Sequence, residues 1–313
     1  MLNSPSVVAT PLERVQTERF AYVGLAVSTV CWASAFIIGK VVLTELSPLT
    51  AGALRYAMAT AMLLPFAIRS WPGTSLRKVL LPLTIMLLCG GVIYQWLFLA
   101  ALTHTTAVNT SLLVALNPVF TVLLAPFIGE PLSRDRIAGV MLALGGAVLV
   151  ITRGDLSVMT GLAFNIGDLM ALAAAANWSA FNLASRGTVT RLSPAFTNLV
   201  VYGIGGVVLL LLALPSDPAA EIGGASVTAI GGVAAMALLS SVLAGQLFLV
   251  GVRALGVSRT VVFIYFIPVI TALLSTTLLG EPFGAAQAAG GAAVLVGVYW
   301  SSRAPRVVFS PES

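Results

Sequence analysis

Long apolar runs constrain this chain more than any motif does. They lie near residues 20–42, 49–68, 79–102, 106–128, 135–152, 162–185, 195–214, 226–251, 258–279 and 284–302, parted by short stretches holding charge, glycine or proline. An α-helix rises ~1.5 Å per residue, so ~20 apolar residues cross the ~30 Å hydrocarbon core of a bilayer. The runs are too long for barrel strands and do not alternate. Charged residues make up 9% of the chain and hydrophobic ones 58%, against the ~25% charged of a soluble domain. The implied fold class is an all-α integral membrane protein of ten transmembrane helices, with the lipid bilayer as its main partner.

Basic residues orient these helices. With the N-terminus in the cytoplasm, Arg14, Arg19, Arg69, Arg77, Lys78, Arg134, Arg136, Arg186, Arg191, Arg253, Arg259, Arg303 and Arg306 fall on the cytoplasmic side; Lys40, Arg55 and Arg153 are the exceptions. The positive-inside rule then places both termini in the cytoplasm. The outer loops carry Glu45, Asp155, Asp217, Glu221 and Glu281. A pI near 9.6 could suggest nucleic acid, but basic residues scattered singly between apolar runs read as topology signals. Residues 1–19 are polar and the apolar run behind them is too long for a signal peptide, so no cleavable signal is expected. Cys31 and Cys89 fall inside apolar runs and read as packed thiols rather than a disulfide.

The chain also repeats itself. Trp32 precedes the "LSP" ending at Pro48 by the same spacing that separates Trp178 from the "LSP" ending at Pro194, and Lys40 matches Arg186. "LFL" at 97–99 answers 247–249, "PVFTVLL" from Pro118 answers "PVITALL" from Pro268, and "GEP" at 129–131 answers 280–282. Residues 20–152 and 162–302 therefore read as two copies of a five-helix unit. An outer loop, 153–161, joins them, and cytoplasmic tails cover 1–19 and 303–313. Because five is odd, the second copy enters from the opposite side of the membrane, and such a 5+5 inverted-topology repeat places a site near the midplane.

The repeat, the S-A-F that follows the tryptophan of spans 1 and 6 and the G-E-P after spans 4 and 9 resemble the drug/metabolite transporter superfamily. Each half resembles an EamA domain, and the whole resembles amino-acid exporters of the YddG type. That resemblance implies a ten-helix transporter of small metabolites. Its central cavity would be lined mainly by spans 1, 3, 4, 6, 8 and 9, with spans 5 and 10 as supports, and export as the direction of transport.

Polar side chains in lipid cost several kcal/mol unless satisfied, so they should turn inward. Trp32 and Trp178 are expected as aromatic walls at mid-depth, with packing filler as the plainer alternative. Around them the expected binding set is Ser34, Tyr94, Gln95, Asn109, Asn117, Asn177, Ser179, Asn182, Ser240, Ser241, Gln246 and Tyr265. Each could equally serve interhelical hydrogen bonding. Pro118 and Pro268 should kink spans 4 and 9 and free the carbonyls of Val114 and Ile264, suiting a gate or merely shaping the bundle. Arg55 is expected to snorkel to the outer surface, with attraction of a substrate carboxylate as the alternative. Lys40 and Arg186 should cap helices. Asp168 is a candidate proton carrier, or an acid favoured by a helix N-terminus. The small-residue rows Gly139, Ala143, Ala147 and Ala289, Ala293, Gly297 suit close helix packing, within one chain or between protomers, and Glu130 and Glu281 should stabilise their turns.

An enzyme is disfavoured: His104 is the only histidine, no phosphate loop is present, and membrane-depth carboxylates are few. No cofactor and no metal are expected. A channel fits an inverted, kinked repeat poorly, and a sensor or scaffold of this fold is a further alternative. Phosphorylated substrates would call for more midplane Lys or Arg. The resulting expectation is a broad exporter of amino acids, including aromatic ones, and related small solutes in a bacterial inner membrane, working by alternating access. A multidrug or cationic-compound exporter is the alternative. A monomer suffices for transport.

Overall fold

The structure is a computed structural model and describes residues 11–70, 76–124, 134–155, 165–256, 259–260 and 262–303. Among them the regular structure is helical, and helices lie over the expected apolar runs. They are α1 (Pro11–Val42), α2 (Pro48–Arg69), α3 (Leu80–His104), α4 (Ala107–Leu124), α5 (Arg134–Thr152), α6 (Ile166–Thr188), α7 (Pro194–Ala213), α8 (Val227–Leu255), α9 (Phe263–Leu279) and α10 (Ala285–Arg303). A short helix, Pro218–Gly224, sits between α7 and α8. By length and composition, 7 of these helices can cross a membrane: α1 to α5, α7 and α8. The stretch expected as a tail before residue 20 is helical from Pro11, a residue preorganised for a first turn.

The repeated "LSP" proves to be a helix start. Ser47 and Ser193 are N-caps whose side chains accept from the amides of Thr50 and Phe196, each followed by proline at the first helical position. Helix packing obeys a matching exchange. α1 packs on α8 as α6 packs on α3, while α2 pairs with α7 and α5 with α10.

The α5–α10 pair is backbone on backbone. A Cβ added at Gly146 would lie 2.6 Å from the Gly290 carbonyl oxygen, and one at Gly139 would lie 2.7 Å from that of Gly297. The small-residue rows thus serve packing within one chain.

Four helices leave α geometry inside the bundle. α3 widens into π turns over Met86–Ile93 and α8 over Met236–Leu243, positions related by the repeat. α4 breaks after Val114, just before Pro118, and α9 begins as a 3₁₀ turn, Val262–Phe266, just before Pro268. Proline removes an amide donor at both places. In α4 the Val114 carbonyl is taken up by the Asn117 side-chain amide at 3.2 Å, so it is not the open acceptor expected there.

Candidate solute-binding cavity

One cavity lies where these irregular turns meet, with walls from α1, α2, α3, α4, α6, α7, α8 and α9. Its volume is ≈ 80 Å³, where one water needs ~10–15 Å³. It therefore has room for a small solute rather than a single water.

Trp32 and Trp178 meet in its wall edge to face, centroids 6.0 Å apart at 87°. The Trp32 indole N–H donates to the Ser240 carbonyl at 3.0 Å, where α8 widens, which fixes the ring. Trp178 stacks on Phe181 at 4.5 Å and leans on Tyr94 at 4.7 Å. Its N–H has no hydrogen-bond partner among the described residues. Phe36, Phe98 and Phe248 complete an aromatic lining.

Of the expected binding residues, Trp32, Tyr94, Gln95, Asn117, Trp178 and Ser240 line the cavity. Asn182 stands behind Asn117, donating to its Oδ1 at 3.3 Å, and Ser241 accepts from Arg55 at 2.8 Å. The rest are occupied elsewhere. The hydroxyls of Ser34 and Ser179 donate to the carbonyls of Cys31 and Ala176 in their own helices, and the Asn177 amide donates to that of Ala173. Gln246 donates to the Pro194 carbonyl at 3.2 Å, and Tyr265 is buried in an apolar cluster with Val114. Asn109 and Asp168 are partners at the start of α4 and α6, where Asp168 also accepts from the Thr105 hydroxyl at 2.6 Å. Asp168 does not line the cavity.

Arg55 overturns its expectation. It is buried, 8% exposed, in the cavity wall, and does not reach the surface. Nε donates to the Ser241 hydroxyl at 2.8 Å and Nη2 to that of Ser240 at 2.6 Å. With it come neighbours that the sequence reading passed over: Tyr56 on α2, and Asn198 and Tyr202 one turn apart on α7. Spans 2 and 7 are therefore cavity helices. A signal was present, because Tyr56 and Tyr202 sit at the same repeat offset as Trp32 and Trp178, and their rings lie 4.7 Å apart.

Lys40 pairs with Glu281 at 3.8 Å. Glu281 also accepts from the amides of Ala107 and Val108, so it caps the start of α4 as well as bracing its own turn through the Ser275 hydroxyl. Glu130 and the side chain of Arg186 lie outside the described residues.

A helical, membrane-type bundle around an aromatic chamber defines the class as a polytopic membrane protein. The chain belongs to the EamA-like transporter family, whose model matches residues 19–152 and again 165–303. The uncharacterized transporter YyaM of Bacillus subtilis (strain 168) is 27% identical over 91% of this chain and 94% of that protein. A probable terminal-alkyne amino-acid exporter of Streptantibioticus cattleyicolor is 30% identical over 89% of this chain and 92% of its own. A protein of known crystal structure shares the fold, with a TM-score of 0.59 and 20% identity, covering 91% of this chain and 96% of that one.

Proposed function

We propose that this membrane transporter exports amino acids and related small solutes by alternating access across a bacterial inner membrane. All ten long helices cross, as a 5+5 inverted repeat with both termini in the cytoplasm. The observation that carries the reading is the aromatic cavity at the seam of the two halves, where Trp32 and Trp178 touch. Flat apolar walls with a few polar groups suit small solutes of mixed character. The exporter of terminal-alkyne amino acids among the relatives supports the solute class, and the basic residues on one side support the orientation. The irregular turns at Pro118 and Pro268 are the hinges by which α4 and α9 splay.

The test is counterflow of labelled amino acids into proteoliposomes. Saturable uptake of aromatic and aliphatic amino acids is expected, reduced by ~10-fold or more in Trp178→Ala, since a lost aromatic wall commonly costs 1–3 kcal/mol. Folded protein that takes up no amino acid would sink the solute class.

A further inference from the structure

The cavity holds cationic and amide donors without an anion to meet them. Arg55 is buried in its wall, yet its guanidinium donates to two neutral serine hydroxyls. The described residues lining the cavity include no Asp or Glu. Beside it, Gln95 and Asn198 are 1% and 2% exposed, and their side-chain nitrogens have no hydrogen-bond partner among the described residues. Both residues line the same cavity. Gly245 leaves the room: a Cβ there would lie 2.8 Å from the Tyr202 hydroxyl and 3.3 Å from the Asn198 amide nitrogen. A guanidinium and two amides with open nitrogens in one cavity wall are the donors that suit a planar anion.

Resting on the transporter reading above, we propose that Arg55 is the anchor for the carboxylate of the transported solute. The serine hydroxyls of Ser240 and Ser241 hold the guanidinium in place, and Gln95 and Asn198 donate to the same carboxylate. Recognition is one-sided. Among the described lining residues a charged amino group meets aromatic faces such as Trp178 and Tyr94 and neutral groups such as Asn117, attractions weaker than an ion pair. The substrate class is therefore small carboxylates with an apolar body, of which amino acids are members and to which the amine is incidental.

Competition against labelled phenylalanine counterflow tests this with the unaltered protein. 3-Phenylpropanoate, which lacks the amine, should compete nearly as well as phenylalanine, and phenethylamine, which lacks the carboxylate, should be ~10–100-fold weaker, the range for losing a hydrogen-bonded charge. Equal competition by phenethylamine overturns the proposal while leaving the transporter reading intact. Absence of counterflow for every carboxylate overturns both. Arg55→Gln should lose phenylalanine affinity by the same factor, Arg55→Lys should lose less, and elution as a single species reports whether each variant folds. If Arg55→Gln folds and keeps wild-type affinity, the anchor is not Arg55 and the proposal fails.

Discussion

Gly90 shows how closely the chamber is fitted at the level of single residues. A Cβ there would collide with the ring of Phe181, which itself stacks on Trp178. Gly90→Ala should therefore push the aromatic wall inward, at an overpacking cost of ~1–3 kcal/mol. Counterflow of phenylalanine should fall more than that of alanine, because the larger solute needs the space lost; equal losses would mean a general folding defect instead. Such contacts were beyond the sequence. The depth of Arg55 along α2 could be read by counting residues, but depth alone does not say which way a side chain points. A helix apolar on nearly every side gives little rotational phase, so snorkelling outward and pointing inward looked alike. The tryptophans escaped this ambiguity because their repetition at matched places tied both to the seam.

Helix ends carry much of the specificity of the elements. Ser47 and Ser193 were visible as repeated letters, and their capping role follows from serine before proline. Their long-range partners were not visible. The Ser47 amide donates to Glu221 at 2.8 Å, the Ser226 amide to Glu45 at 2.6 Å, and the Ala107 amide to Glu281 at 2.9 Å. Each acid sits on a helix N-terminus, where the dipole favours it, and each comes from a distant segment. Glu281→Gln keeps an acceptor but loses the charge and the Lys40 pair. It should destabilise the start of α4 by ~1–2 kcal/mol, below the ~1.5–3 kcal/mol of a full charge-assisted bond. Heating in detergent with size-exclusion readout should show earlier loss of the monodisperse peak, and Lys40→Met should add little on top of it.

At the scale of the whole molecule, acids fasten one end of the bundle. Under the proposed orientation, the pairs Glu45–Ser226, Glu221–Ser47, Glu281–Ala107 and Asp168–Thr105 all lie at the outer end. At the inner end, the described residues include the Ser193–Ser70 hydroxyl contact at 2.8 Å and the Gln246–Pro194 bond at 3.2 Å. The repeat makes the two halves alike in outline, and under the alternating access proposed above these acids should favour the closed-outside state. A single cysteine, Ser111→Cys, placed in the cavity wall after Cys31→Ala and Cys89→Ala, should react with an impermeant maleimide faster in inside-out vesicles than in spheroplasts. Acid should narrow the difference. The backbone amide of Ser226, then its hydroxyl, holds Glu45 below the usual carboxylate range. A carboxyl whose folded pKa is depressed contributes stability above its unfolded value of ~4.3 and loses it as pH falls through the depressed one. Lowering the external pH through that window should speed labelling from outside, and Glu45→Gln should already be fast at neutral pH. If labelling is equal from both sides at neutral pH, the acids fasten loops without setting which way the transporter rests.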